Sequence, residues 1–417
     1  MPNDAEILHA LFDAALKAAL PDGRFEGRLP PQPKGRTIVL GAGKASARMA
    51  AAFEEAWARA GGTCEGLVVT RYGHAVPTRT VEIVEAAHPV PDEAGLRAAG
   101  RILTLAREAG PDDLVVCLMS GGASALLSLP ADGVTLADKQ DLNRALLKSG
   151  APIGEMNLVR KSLSAIKGGR LAAAIGGAQL VTYLISDVPG DDPGSIGSGP
   201  TIPERVDPDV ALGILRKYGI DVPDHVLRTI RSNAVAEPVA GGIVHMLSAP
   251  KMALDAAAAK ARELGLTPLI LGDALEGEAR EVGRVMAGIA RSALMHGEPV
   301  RAPCVLLSGG ETTVTVRGEG RGGRNAEFLL SLALSLKDES MISAIACDTD
   351  GIDGSEDNAG AWFDGSLFDS ARAKGIDLAG HLDRNDAYTA FAQLDRLVVT
   401  GPTLTNVNDF RCVLVRR

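Results

Sequence analysis

Short apolar runs alternate with helical stretches along almost the whole chain, and that alternation limits the fold more than any other feature. The strand-like runs include "TIVLGAG", "GLVVTR", "DLVVCLMSGG", "QLVTYLISDVPG", "GIVHMLSAP", "TPLILGD", "CVLLSGGETTVTV", "ISAIACDTDG" and "RLVVTG". Between most of them lie segments with helical periodicity, such as "DEAGLRAAGRILTLAREAG" and "RNAEFLLSLALSLKD". Alternation of this kind predicts parallel sheets covered by helices. "LVVCLM" and "LVTYLI" are apolar at nearly every position, as strands buried on both faces must be. The fold class is therefore α/β. With 417 residues the chain exceeds what one core usually supports, so two domains are expected. The polar stretch 201–241 holds the boundary, giving domains 1–235 and 236–417.

Composition excludes several function classes. Aromatic residues make up 3% and the net charge is −9, so neither base stacking nor a basic stripe is available for a nucleic acid. A small anionic substrate remains compatible, since local charge can oppose net charge. Cys117, Cys304, Cys347 and Cys412 lie in apolar runs without CxxC spacing and read as buried small hydrophobes in a reducing compartment. The first residues, "MPNDAEILHALFDAALKAAL", place apolar side chains at 7, 8, 11, 12, 15, 16 and 19, one face of an amphipathic helix rather than a signal peptide. The longest apolar stretch, "LAAAIGGAQLVTYLI", is too short to span a bilayer. The expectation is a cytoplasmic protein with no membrane partner; homodimer formation is left open.

Ligands of open α/β sheets bind beyond the carboxyl ends of the strands, so the residues following each strand are the candidates. The first are Gly41, Gly43 and Lys44 in "TIVLGAGKAS". A Walker A loop would need Ser or Thr after the lysine, where Ala45 stands, and a dinucleotide fingerprint would need glycine where Ser46 stands. Ser120-Gly121-Gly122 with Ser124, and again Ser308-Gly309-Gly310, read as glycine turns whose N–H groups could cradle an anion. Asp187 follows a further strand, and Asn406 and Asp409 close the series. Asp348 and Asp350, with Asp353 close by, crowd behind an apolar strand, and Glu311 follows the second Ser-Gly-Gly. The glycine spacing does not suit a calcium loop; such acids suit Mg2+ held through few carboxylates plus phosphate, with Glu311, Asp348 and Asp350 as the metal residues. "GRGGRNAEF" suggests a mobile loop carrying Arg324 toward a planar anion, with Asn325 beside it. On the segment "NLVRKSLSAIKGGRLA", Asn157 is a candidate binding residue, while Arg160, Lys161, Lys167 and Arg170 could line a phosphate pocket or form a solvated face. Cations, glycine cradles and several aspartates together are the parts needed for phosphoryl transfer. No GxSxG elbow or paired-histidine zinc spacing is present.

The motifs "GAGKAS", "SGGASALL", "MNLVRKSLSAIKGGRLA", "SDVPGDDPGSIGSGPT", "SGGETTVTVRGEGRGGRNAEF", "ACDTDGIDG" and "GPTLTNVNDF" occur in order from about residue 5 to 415, and the chain thereby resembles the class II glycerate 2-kinases. The resemblance implies a Rossmann-like N-terminal domain with a mainly parallel sheet, a smaller α/β C-terminal domain and an active site in the cleft between them. It implies ATP-dependent phosphorylation of D-glycerate to 2-phosphoglycerate with Mg2+, and it puts the family's functional lysine and arginine on Lys44 and Arg324. Asp187 is then expected near the substrate hydroxyl as base or metal partner. Relatives of this kind also carry the label hydroxypyruvate reductase, and Arg71, after the second strand, could hold the 2′-phosphate of NADP. A regulator sensing a phosphorylated acid through its Ser-Gly-Gly loops is the non-enzyme alternative.

Overall fold

β1 (Thr37–Ala42) is buried at every residue. It can be so because both its edges are paired and both its faces covered. In the computed structural model, which describes residues 2–235 and 241–417, the chain divides into two units, Pro21–Leu247 and Met1–Leu20 with Ser248–Arg417. In the first, β1 is joined by β2 (Glu65–Arg71), β3 (Val81–Ala86), β4 (Leu114–Met119), β5 (Gln179–Ile185) and β6 (Ile243–Ser248) in the order β3-β2-β1-β4-β5-β6. Pairing is parallel from β3 through β5, with Gly41 opposite both Val68 and Leu118. On one face Ile38, Leu40, Ala42, Leu67, Val69, Val115 and Cys117 share a core with Ala98, Ile102 and Ala106 of the helix Glu93–Glu108. Their alternates Val39, Val68 and Val116 are also buried, which is why these strands show no polar alternation.

The expected division within 201–241 does not appear there. Helices Pro208–Lys217 and Asp224–Ser232 pack Ile214, Leu215, Val226 and Ile230 against Leu142, Leu146, Met156 and Val159 of two earlier helices. The stretch is thus a small helical lobe of the first unit, and the division falls at 247/248. Residues 236–240, where the expected second domain would begin, lie outside the described residues.

The second unit holds β7 (Thr267–Gly272), β8 (Gly277–Glu278), β9 (Cys304–Gly310), β10 (Thr312–Thr313), β11 (Ile342–Asp348), β12 (Gly360–Phe363), β13 (Leu397–Val398) and β14 (Asp409–Val415). Its main sheet, β13-β12-β11-β14-β9-β7, is mixed rather than parallel: only β7 and β9 pair in parallel. β14, the last strand, holds Cys412 of the apolar run noted in the sequence, and its seven residues are all buried between β11 and β9. "DFRCVLV" carries two charges that mask its strand pattern.

The first helix, Asp4–Ala19, forms as expected, started by an Asn3–Glu6 capping box. Its buried face (Ile7, Leu8, Leu11, Phe12, Ala15) serves the second unit, however, with Phe12 against Phe410 and Asp4 bonded to Arg416. An amphipathic pattern says that a helix has a partner, not which one. Among the described residues no helix is long and apolar enough to cross a membrane.

Candidate active site

In the first unit the strand order reverses between β1 and β4, the point where open sheets bind ligands. The turns after these two strands meet there. Ser120 N donates to Ala42 O, Lys44 N to Gly121 O (2.8 Å) and Ala45 N to Ser120 Oγ (3.0 Å). Gly43 has φ +136°, and a Cβ at that position would lie 2.1 Å from Ser120 Oγ, so only glycine fits. Ser46 stands where the dinucleotide fingerprint has glycine because its buried hydroxyl bonds Gly43 O and Val69 O. Lys44 itself is half-buried, its carbonyl accepting from Thr70 Oγ1 (3.4 Å) and facing His74 Nδ1 (3.3 Å). The N–H groups of Gly43, Lys44, Ala45 and Ser46 are therefore all bonded within the protein. Gly41 lies inside β1 and Gly43 is packed on Ser120, so neither offers the open N–H cradle read from the sequence.

Ser124 lies on the far side of the Ser-Gly-Gly turn, its Oγ 2.9 Å from Ser198 Oγ and from Lys167 Nζ. Asn157 Oδ1 accepts from Arg160 at 3.2 Å. Asp187 follows β5 and is half-buried.

In the second unit Arg324 opens the helix Arg324–Ser335 instead of riding on a mobile loop. The loop is tied down: Arg321 stacks on Tyr388 at 4.4 Å, bonds Glu356, and donates its N–H to Asp386. The guanidinium of Arg324 donates to Asp409 through Nε (2.9 Å) and Asp348 through Nη2 (2.8 Å), and Nη1 stands 3.3 Å from Glu311. Burial opposes its charge, but Asp409, Asp348 and Glu311 outweigh that and hold it well above the usual arginine range. Asp353 accepts the N–H groups of Asn325 and Ala326 (both 2.9 Å) at the same helix start, and burial pushes its carboxyl up to about 6.

This cluster corrects the expected metal site. Asp348 spends one oxygen on Arg324 and the other on Asp350 N, while Asp350 Oδ1 accepts from Ile352 N. Among the described residues no group of three or more His, Cys, Asp or Glu could hold a metal ion. Glu311, Asp348 and Asp350 thus do not fit Mg2+ as a set; two of them serve a guanidinium.

The second Ser-Gly-Gly is also no cradle. Ser308, Gly309 and Gly310 are the buried end of β9, with Gly309 and Gly310 paired to Phe410 and Asp409. A Cβ on Gly310 would come within 2.3 Å of Leu275 backbone. Asn325 is fully buried and ties Asp409 to the helix start at 2.8 Å, and Asn406 Oδ1 accepts from Asn408 N. These residues build the second unit's site rather than line its surface. Arg411, overlooked in the sequence, completes the set: fully buried, it bonds Asp409 and Gly309 O. Its signal was an Asp-x-Arg pair on one face of an apolar strand.

Fold and sites define the class: an α/β protein with a Rossmann-ordered sheet in one unit and a carboxylate-clamped arginine in the other. Residues 7–231 match the family described as "Domain of unknown function (DUF4147)", and residues 304–409 match the MOFRL family. A Thermotoga maritima protein named D-glycerate 2-kinase is 40% identical over 396 residues, 95% of this chain and 94% of its own. A protein of Agrobacterium vitis, provisionally named a hydroxypyruvate reductase, is 55% identical over 98% of this chain and 94% of its own. The crystal structure of a glycerate kinase from Thermotoga maritima matches with a TM-score of 0.91 at 39% identity, covering 99% of this chain and all of that one. This chain belongs to the class II glycerate kinase family.

Proposed function

We propose that this protein transfers the terminal phosphoryl group of ATP to the 2-hydroxyl of D-glycerate, giving 2-phosphoglycerate and ADP. The observation that carries the reading is the turn after β1. A dinucleotide pyrophosphate would need the N–H groups at that helix start, and Lys44 N and Ala45 N are spent on Gly121 O and Ser120 Oγ. Hydride transfer thus lacks its usual cofactor seat, whereas the same turn presents a lysine. Relatives named glycerate 2-kinase in Thermotoga maritima and Pyrococcus horikoshii, 40% and 38% identical, support the same chemistry and position.

In this reading Lys44 is the cation at the transferring phosphoryl group, and Asp187 takes the proton of the attacking hydroxyl. The divalent cation expected with ATP rides on the nucleotide's own phosphates. The substrates are small molecules handled in the cytoplasm; nucleic acid is not a partner, as the acidic balance of 52 carboxylates to 43 cations suggests.

Purified protein should release ADP and 2-phosphoglycerate from ATP and D-glycerate, with rate rising on addition of Mg2+. Hydroxypyruvate with NADH or NADPH should give negligible oxidation. Robust hydride transfer without ADP release would favour the reductase naming of the Agrobacterium vitis relatives. Asp187→Asn should lower turnover by about 10²-fold or more, the weight of a general base, with the KM for ATP little changed. Turnover at the wild-type level would remove Asp187 from the chemistry.

A further inference from the structure

The nucleotide reading leaves a physical question. If the N–H groups after β1 are spent, something else must neutralise a polyphosphate. A cavity of about 390 Å³ opens in the first unit beside the Ser-Gly-Gly turn, bounded by Gly122, Ser124, the helix Leu136–Ser149 and the helix Ile153–Ser162. Lys139, Arg144, Arg160 and Lys167 line it, and among the described residues no carboxylate does. Three of these cations are held by neutral groups. Lys167 Nζ donates to Ser124 O (2.6 Å) and Ser124 Oγ (2.9 Å), Arg160 to the side-chain oxygens of Asn143 and Asn157, and Lys139 Nζ to Leu129 O (3.4 Å). By contrast Lys161, one residue beyond Arg160, is paired with Glu204 outside the cavity.

We propose that this cavity seats the polyphosphate of the nucleotide, with Lys139, Arg160 and Lys167 as its counter-charges. The inference rests on the kinase reading and names the place of its donor. Arg144 is paired with Asp141, but Lys139, Arg160 and Lys167 are brought together on neutral partners and repel one another, and an entering anion relieves the repulsion. Their titration agrees with this: burial, with Arg160 nearby, lowers Lys139 to about 7, and burial with three neighbouring cations holds Lys167 well below the usual lysine range. Three basic side chains, Lys167 buried and Lys139 and Arg160 half-buried, converge on one cavity and suit a polyanion better than the single carboxylate of glycerate. The volume, too, is of the size that takes drug-sized ligands. The mouth is apolar, with Val90 62% and Leu147 58% exposed, and gives a nucleobase a surface to lie on. At its inner wall a Cβ on Gly122 would stand 3.3 Å from Lys44 Cγ, so the cavity ends beside the lysine assigned to the transferring group.

The test measures binding of a non-hydrolysable ATP analogue and of inorganic tripolyphosphate by calorimetry, together with both KM values. Lys139→Gln should weaken the analogue and tripolyphosphate about tenfold each, the weight of one charge-assisted contact. The KM for glycerate should stay within a factor of about two, and Lys139→Arg should restore binding. Leu147→Glu, at an exposed mouth position with little at stake for folding, should weaken the analogue as well. If both variants bind the analogue like the wild type while ADP is still produced, the cavity is not the nucleotide's seat and the kinase reading stands alone. A rise in the KM for glycerate with unchanged analogue binding would give the cavity to the acid and overturn the proposal. Wild-type protein that binds NADPH but no ATP analogue would overturn the kinase reading itself.

Discussion

Lys44→Ala is expected to melt like the wild type and to lose about 10²–10³-fold in turnover, roughly 3–4 kcal/mol of transition-state stabilisation. The fold should not notice the change, because the turn is held by main-chain groups that alanine keeps. Lys44 N still bonds Gly121 O, Lys44 O still accepts from Thr70, and Gly43 still packs on Ser120. Half-exposed side chains of this sort rarely move stability by more than about 0.5 kcal/mol. What disappears is a point cation at the end of β1, where the strand order reverses and where phosphoryl oxygens are expected to gather charge. Steady-state kinetics beside a thermal melt will decide. A stable Lys44→Ala protein within about threefold of wild-type turnover, less than 1 kcal/mol of barrier, would return this residue to ordinary surface duty.

Arg324→Ala should behave differently, losing stability as well as activity. The guanidinium is the shared partner of Asp409 and Asp348, whose side chains are 0% and 5% exposed, and of the more exposed Glu311. Removing it leaves buried carboxylates short of counter-charge, which typically costs about 3–5 kcal/mol. Asp409 keeps Arg411 and Asn325, so Asp348 bears most of the loss. The pH dependence gives the sign. Burial already raises the carboxyl of Asp353 in the same cluster to about 6 with Arg324 opposing the rise, so removing the arginine raises the folded-state pKa of the cluster's carboxylates further. The folded variant then binds protons that the unfolded chain does not, so its stability recovers as pH falls toward about 4 and is lost as pH rises through 6. The gap in denaturant midpoint between variant and wild type should therefore narrow on acidification. Arg324→Lys keeps the charge but cannot reach three carboxylates at once, and should fall between. An Arg324→Ala protein as stable as the wild type at neutral pH would show that the cluster does not depend on this arginine.

Much of this molecule was legible in its letters. Apolar runs flanked by glycine turns marked β1, β2, β4, β5, β9 and β11. The helical period of Ile7, Leu8, Leu11 and Phe12 marked the first helix and its buried face. The four cysteines expected in the interior are buried, and burial raises their thiol pKa values, Cys117 to about 12 and Cys304 to about 11. These are consequences of short-range order, where each residue reports on neighbours three or four positions away. Tertiary structure decided the rest. The same tripeptide, Ser-Gly-Gly, is a turn at 120–122 and the end of a strand at 308–310, because only the second copy has β14 beside it. Asp348 faces a guanidinium instead of a metal because Arg324 and Asp409, 85 residues apart, are brought to one point by strand pairing. Lys139, Arg160 and Lys167 could each pass for a solvated charge until helix packing put them around one cavity. Which groups neutralise a buried charge depends on contacts between distant segments, and hydrophobic periodicity carries no record of those.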